Sequence, residues 1–249
     1  MTIDVMAFSP HPDDAELGCG GLLLKMKKYG YRTAITDMTE GELSTNGDLK
    51  TRSEETGRAS EILKLDMRLN LNLGDCSVGR SSENTLKVIN VLREHRPAVV
   101  LVPYFRDRHP DHENTNRLVR ESVFFSGLIK YPAAGKPHRP YAVLSYMLSY
   151  QFDPDFITDI SDFYHLKMKA CRAYASQFYG SGNEISGPGR NENFPQNLPT
   201  FINTKHFRNI IYSRDKCYGI KIRVKFGEPY LIEDKIEIDD PVNFFRYLI

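Results

Sequence analysis

The first two thirds of the chain alternate short apolar runs with longer segments in which apolar residues recur every three or four positions. Short runs of this kind predict buried strands, and the longer segments predict amphipathic helices. The clearest strand is 98–103, where four consecutive residues from Val99 to Val102 are apolar and mostly β-branched. In chain order, the pattern predicts strands at 3–8, 33–38, 67–71, 98–103, 141–148 and 156–160, and helices at 17–29, 54–65, 83–95, 111–125, 162–176 and 205–217.

This alternation of strand and helix predicts a parallel sheet with helices on both faces. Strands covered on both faces are typically continuous apolar runs, as these are. We therefore expect an α/β protein with a Rossmann-like, three-layer fold and a mostly parallel sheet. It is expected to form one domain over 1–249, with a core at about 1–176 and a C-terminal helix and tail at 205–249.

The segment 179–199 differs in composition, because it is rich in glycine and proline. It is too long for a plain connection between two elements. Two interpretations stay open. The segment is either a surface excursion, or a lid or subunit-interface arm.

Charge and cysteine content exclude several classes of protein. Lys and Arg number 33 and Asp and Glu number 32, which gives a net charge of +1 and argues against binding nucleic acid or membrane through bulk charge. The four cysteines are widely spaced and form no CxxC pair. The N-terminus lacks the pattern of a secretory signal, and no apolar run reaches the roughly 18 residues of a spanning helix. These features predict a cytoplasmic protein with reduced thiols.

Two similar segments carry the candidate chemistry. Residues 11–14 (HPDD) follow the first predicted strand, and residues 109–112 (HPDH) follow the strand at 98–103. Ligands of open α/β sheets bind in the crevice beyond the carboxyl ends of the strands. Residues far apart in the sequence are therefore expected to meet in one cleft.

The residue types in these segments suit a catalytic metal site. Zinc in such sites takes three ligands from His and carboxylate groups and keeps one position for water, and His11, Asp14 and His112 supply such a set. Asp13 is then free to act as general base towards that water. His109 is free to stabilise an oxyanion or to protonate a leaving amine, with Asp111 orienting its imidazole. One zinc ion per chain is expected, although iron(II), cobalt and manganese also suit these ligands.

A simpler interpretation of the acidic residues stays open. Asp13 or Asp14 suits the N-cap of the following helix, and Asp111 suits the N-cap of the next one. Two His-Pro-Asp segments, each at the end of a strand, are harder to explain by capping alone.

At these segments the chain resembles the PIG-L/LmbE-like family of zinc-dependent N-acetylglucosamine deacetylases. The resemblance rests first on 10–16 (PHPDDAE) and 106–112 (RDRHPDH), and then on 39–42 (TEGE) and 52–55 (RSEE). Segments 174–177 (YASQ) and 227–230 (GEPY) are similar to the branch that acts in bacillithiol biosynthesis. One departure is Pro10, where the family usually has alanine.

The resemblance implies the same roles for the metal ligands, Asp13, His109 and Asp111. It further implies that Arg52 binds sugar and that Glu42 lies in a loop placed to contact sugar hydroxyls. The alternative for Arg52 is a surface ion pair with Glu55 or Glu42. The alternative for Glu42 is a helix-capping or solvated loop carboxylate.

The branch implies N-acetylglucosaminyl malate as substrate, with glucosaminyl malate as product. Arg52, Arg106 and Arg108 are the candidates that bind its two carboxylates, because arginine suits bidentate carboxylate binding. The alternative for Arg106 and Arg108 is that both are surface charges. The resemblance also implies a homo-oligomer, such as a hexamer.

Three other functions stay open. The enzyme could act on other N-acetyl sugars or acetylated conjugates. A His/Asp metal site could serve a phosphoesterase, although two-metal phosphatases usually need more ligands than are evident. A non-catalytic sugar-binding protein is the third, but 18–21 (GCGG) does not complete a dinucleotide-binding GxGxxG, because Leu23 occupies the last position. These glycines more simply allow close packing of helix and sheet or approach of substrate.

Overall fold

The computed structural model describes residues 1–179 and 197–246. A seven-stranded sheet forms its centre, in the order β3-β2-β1-β4-β5-β7-β6. The strands are β1 (Val5–Ser9), β2 (Thr33–Asp37), β3 (Met67–Asn70), β4 (Val99–Pro103), β5 (Ala142–Tyr146), β6 (Phe156–Asp159) and β7 (Gly227–Ile232).

The first five strands are parallel to one another, while β7 runs antiparallel to both β5 and β6. The predicted α/β class with a mostly parallel sheet is confirmed. The predicted extended tail instead contains a strand, β7, that lies between two others.

Helices follow the strands as the apolar pattern predicts. They are α1 (Asp14–Lys28), α2 (Leu49–Leu63), α3 (Ser82–His95), α4 (Pro110–Ser126), α5 (Tyr164–Ala173), α6 (Ala175–Phe178), α7 (Lys205–Lys221) and α8 (Pro241–Arg246). The single helix predicted at 162–176 is two helices that meet at Tyr174. Most of the predicted loop at 179–199 lies outside the described residues.

The two faces of the sheet bury separate apolar clusters. Along β1, Val5 and Ala7 join the cluster under α1, α2 and α5, whereas Met6 and Phe8 join the cluster under α3 and α4. This alternation follows from the strand geometry, which sends successive side chains to opposite faces. Helices cover both faces, which gives the three layers.

Helix α1 packs very closely against its surroundings at two glycines. A Cβ atom on Gly18 would overlap the ring of Tyr146, and one on Gly21 would lie 2.7 Å from Cγ2 of Ile160. The backbone N–H groups of Gly21 and Leu22 donate to the carboxylate of Glu228 at 2.8 and 2.7 Å. The GCGG segment therefore serves close packing of α1.

A buried ionic network holds the C-terminal elements to this helix. Nζ of Lys167 lies 2.8 Å from Asp215 and 2.9 Å from Glu228, and all three side chains are fully buried. Arg214 pairs with Asp215 at 2.8 Å and donates to the carbonyl of Leu17 in α1. The network thus ties α7 and β7 to the helix that begins at Asp14.

Across residues 1–179 and 197–246, no helix combines the length and apolar character that crossing a bilayer requires.

Candidate active site

The two HPD segments meet at the centre of the sheet. Strand β1 pairs with β2 on one side and with β4 on the other. From β1 the chain first extends the sheet through β2 and β3, and it then returns to extend the other side from β4. Such a switch point opens a crevice at the carboxyl ends of the strands. The β1–α1 connection carries His11 and Asp13, and the β4–α4 connection carries His109. The sheet therefore brings the predicted residues to one place.

The three predicted metal ligands lie together. Oδ2 of Asp14 is 3.1 Å from Nδ1 of His11 and 3.2 Å from Nε2 of His112. One ligand atom from each residue lies within 4.8 Å of the others. Two ligands bound tetrahedrally to zinc at its usual bond lengths would be about 3.3 Å apart. The spacing and the donor set thus fit a small divalent cation such as zinc.

The other ring nitrogens of the two histidines face carboxylates. Nε2 of His11 lies 3.2 Å from Oδ1 of Asp75, and Nδ1 of His112 lies 3.0 Å from Oδ1 of Asp107. Carboxylates in this position fix the ring orientation and the tautomer of a metal-binding histidine. Sequence reasoning did not assign either carboxylate. Asp75 lies in the connection after β3, so the same rule about strand ends could have found it.

Neighbouring carboxylates raise the pKa of His11 and of His112. Burial lowers the pKa of His11, but its hydrogen bonds to Asp111, Asp14 and Asp75 outweigh burial and raise the pKa well above its usual value. Burial also lowers the pKa of His112, while the charge of Asp14 and the contact with Asp107 raise it to about 9. Histidine binds metal only after losing its proton, so a cation would displace protons from both rings.

Asp13 holds an unusual backbone conformation beside this cluster. Its φ is 126°, a value that residues with a side chain rarely adopt, and such strain is concentrated at functional sites. It occupies the N-cap position of α1, but its side chain makes no capping hydrogen bond. Its Oδ2 instead accepts a hydrogen bond from Nη2 of Arg52 at 3.1 Å. Burial raises the pKa of Asp13 to about 7, against the lowering effect of Arg52.

His109 lies against both of the other histidines. Its ring centroid is 4.7 Å from that of His11 and 5.0 Å from that of His112. Nδ1 accepts a hydrogen bond from the backbone N–H of Asp111 at 3.2 Å, so His109 caps α4. Burial and the neighbouring histidines lower the pKa of His109. The neutral ring consequently carries its proton on Nε2.

The sequence predicted that the carboxylate of Asp111 orients the ring of His109, but it lies beside His11 instead. Its Oδ2 accepts a hydrogen bond from the backbone N–H of Cys76 at 2.7 Å and lies 3.4 Å from Nε2 of His11. Among the described hydrogen bonds, none joins this carboxylate to His109, whose link to Asp111 runs through the backbone. The Asp111 side chain therefore supports His11.

The predicted sugar-binding residues make contacts within the protein. Glu42 accepts hydrogen bonds from the backbone N–H groups of Asp75 at 2.6 Å and Glu40 at 3.2 Å, so it braces neighbouring loops. Arg52 is 5% exposed and lies over the ring of Tyr174, 5.5 Å from its centroid. Its Nη2 binds Asp13, while Nε and Nη1 have no hydrogen-bond partner among the described residues.

The predicted carboxylate-binding arginines flank the cleft. Arg108, together with Asp13, Asp14 and His112, lines a cavity of about 320 Å³ whose other lining residues are largely apolar. Its guanidinium lies over the ring of Phe201, 5.2 Å from the centroid. Arg106 lies over the ring of Tyr150, 5.9 Å from the centroid. Of the two, Arg108 is the one that borders the same cavity as the metal-ligand cluster.

Comparison with known proteins places this site in a family. Residues 6–123 match the family model described as PIG-L, GlcNAc-PI de-N-acetylase. The chain is 32% identical over 189 residues to diacetylchitobiose deacetylase from Thermococcus kodakarensis, with 70% of each chain covered.

Solved structures agree with this assignment. The conserved protein TT1542 from Thermus thermophilus is 32% identical, with a TM-score of 0.84 over 96% of this chain and 98% of that one. N,N'-diacetylchitobiose deacetylase from Pyrococcus horikoshii, complexed with its inhibitor MPG, is 26% identical, with a TM-score of 0.76 over 92% of this chain and 83% of that one. The chain belongs to the PIG-L family of GlcNAc-PI de-N-acetylases and their relatives.

Proposed function

We propose that this protein is a metal-dependent deacetylase that hydrolyses the acetamide of an N-acetylglucosamine conjugate. The observation that carries the proposal is the His11–Asp14–His112 cluster, with the buried Asp13–Arg52 pair directly beside it. This arrangement places a candidate general base next to a set of metal ligands. Membership of the PIG-L family supports the same reaction.

Each residue has a proposed part in amide hydrolysis. A divalent cation held by His11, Asp14 and His112, with zinc as the expected ion, would supply a water of lowered pKa and polarise the acetyl carbonyl. Asp13 takes a proton from the attacking water and passes it to the nitrogen of the departing amine as the C–N bond breaks. A base with a pKa near neutrality suits both transfers. The products are acetate and the free amino sugar.

His109 is proposed to stabilise the oxyanion rather than to act as the acid. Its Nδ1 is occupied by a backbone N–H, which leaves Nε2–H as the donor of the neutral ring. A neutral donor stabilises developing negative charge without giving up its proton. Asp111 and Asp75 support the neighbouring ligand His11.

The proposed substrate is N-acetylglucosaminyl malate, converted to glucosaminyl malate in bacillithiol biosynthesis. Support comes from the segments at 174–177 and 227–230 and from Arg108, which borders the cavity of the metal-ligand cluster. Arg106 and Arg108 are proposed to bind the malate carboxylates. Arg52 and Glu42 are proposed to contact the sugar.

A second candidate substrate is diacetylchitobiose. The similarity to the Thermococcus and Pyrococcus enzymes of that name favours it. A disaccharide would occupy the same cleft, and because it carries no carboxylates it would need no arginine side chains to bind them.

A substrate panel separates these candidates. Acetate release is measured from N-acetylglucosaminyl malate, diacetylchitobiose and N-acetylglucosamine, for the wild type and for Arg108→Gln. Preference for the conjugate, lost in Arg108→Gln, supports the malate proposal. If both proteins turn over diacetylchitobiose faster than the conjugate, the malate proposal is overturned, whereas the proposed deacetylase activity stands. The deacetylase proposal itself fails if the protein deacetylates none of these sugars. Hydrolysis of a phosphoester would then favour a phosphoesterase, and sugar binding without turnover would favour a binding protein.

We further propose a cytoplasmic homo-oligomer, with a hexamer as the expected assembly. Val242, Phe244 and Phe245 in α8 each expose half or more of their surface, which suits a contact between copies. Light scattering at micromolar concentration tests this, and a monomer would contradict it.

A further inference from the structure

A second group of ligand atoms lies beyond the His11 ring. Asp75 and Cys76, in the β3–α3 connection, meet Asp111 of α4, and one ligand atom of each lies within 4.8 Å of the others. Sγ of Cys76 is 3.6 Å from Oδ1 of Asp75. These carboxylates face Nε2 of His11, whereas Asp14 faces Nδ1 on the other edge of the ring. The group is therefore separate from the His11–Asp14–His112 cluster.

One buried oxygen in this group has no partner. Asp111 is 1% exposed, and its Oδ1 has no hydrogen-bond partner among the described residues, while its Oδ2 accepts from the N–H of Cys76. Leaving a carboxylate oxygen buried and unpaired is costly. A cation beside it would remove that cost.

The backbone holds Cys76 against the carboxylate of Asp111. Cys76 has a φ of 58°, in the left-handed region, and its N–H binds the Asp111 carboxylate at 2.7 Å. The residue is nevertheless exposed, so its side chain can be reached from solvent. The loop thus holds a reachable thiol close to two carboxylates.

We propose that Asp75, Cys76 and Asp111 form a second metal site, which takes a thiophilic divalent cation such as zinc or cadmium. Zinc binds both thiolate sulfur and carboxylate oxygen, and a thiolate favours such ions over magnesium or calcium. As the sulfur–metal bond forms, the Cys76 thiol releases its proton to solvent, and no oxidation or reduction takes place. The proposal does not depend on the deacetylase reaction.

Cadmium titration of the full chain, after dialysis against a chelator, tests the site. Thiolate–cadmium bonds absorb in the ultraviolet, whereas cadmium bound by His and Asp does not show this charge-transfer band. We expect the band in the wild type with one equivalent of thiolate-bound cadmium. We expect it to disappear in Cys76→Ser and to persist in Cys217→Ser, which removes the other exposed thiol.

A third variant shows whether the site is separate. His112→Ala removes a ligand of the first cluster only, so the band is expected to remain while total bound cadmium falls by one ion per chain. Circular dichroism verifies that each variant is folded. The proposal is overturned if the wild type gives no band, if Cys76→Ser keeps it, or if His112→Ala loses it.

Discussion

Nη2 of Arg52 lies 3.1 Å from Oδ2 of Asp13, and both side chains are buried. The same Nη2 atom donates to the carbonyl of Pro12 at 2.6 Å, so one guanidinium holds both the carboxylate and the strained backbone that carries it. Burial raises the pKa of Asp13 to about 7, and Arg52 opposes that rise. The pair thus sets both the position and the basicity of the proposed general base.

Removing the Arg52 charge is expected to shift the pH dependence of activity. In Arg52→Met the pKa of Asp13 rises further, so the acid limb of the kcat/KM profile moves to higher pH. A rise of about one unit from 7 would lower the ionised fraction at neutral pH roughly fivefold. Arg58→Met, an exposed arginine on the same helix, is the matched control. An unshifted profile in Arg52→Met would contradict the pairing.

The carboxylate behind His112 is expected to control metal affinity. In Asp107→Asn the charge 3.0 Å from Nδ1 of His112 is lost, so the metal should bind about 10–100-fold more weakly. Competition with a chromophoric chelator measures this. Asp153→Asn, an exposed aspartate, should leave the affinity unchanged. Equal affinity in the two variants would show that Asp107 does not support the site.

His109 should affect turnover without affecting metal content. His109→Ala removes the proposed oxyanion donor, so kcat should fall about 10²–10³-fold. The bound metal, counted by mass spectrometry, should stay at the wild-type level. The exposed His165→Gln serves as a control for histidine loss. If His109→Ala also loses the metal, the residue is a ligand and its assigned role is wrong.

Two glycines in helices should respond oppositely to alanine. Gly18→Ala places a Cβ atom into the ring of Tyr146, so it should destabilise the protein by about 1–3 kcal/mol. Gly57→Ala in α2 meets no atom within 4 Å and should stabilise by about 0.5–1 kcal/mol, because alanine is the better helix former. Denaturant unfolding measures both. A neutral Gly18→Ala would show that α1 packs less tightly against β5 than described.

Local patterns in the sequence account for most of the fold. Strands β1 to β6 and helices α1 to α4 follow the predicted runs within a few residues. Strand β7 was missed because it holds both Gly227 and Pro229, which disfavour strands. Its pairing with β5 begins only at Tyr230, so Pro229 pairs with β6 alone. Only tertiary structure shows that arrangement.

The site was predictable where chemistry lies in short segments. Residues 11–14 and 109–112 contain the proposed metal ligands, the proposed base and the neighbouring histidine, and the ends of β1 and β4 bring the two segments to one crevice. Asp75 also follows the end of a strand, but it was not found because the β3–α3 connection carries no recognisable motif. The Asp111 carboxylate turns to His11 because the N–H of Cys76 holds it there, and that contact depends on how a distant loop folds.

Acetate release and metal content, measured together for three proteins, test the proposed metal-dependent deacetylation. We expect the wild type to release acetate from an N-acetylglucosamine conjugate, to lose this activity with chelator and to regain it with zinc. Asp13→Asn should keep its metal and lose about 10²–10⁴-fold in rate, whereas His112→Ala should lose both metal and activity. Full turnover after metal removal, or a fully active Asp13→Asn, would contradict metal-dependent hydrolysis with Asp13 as the base.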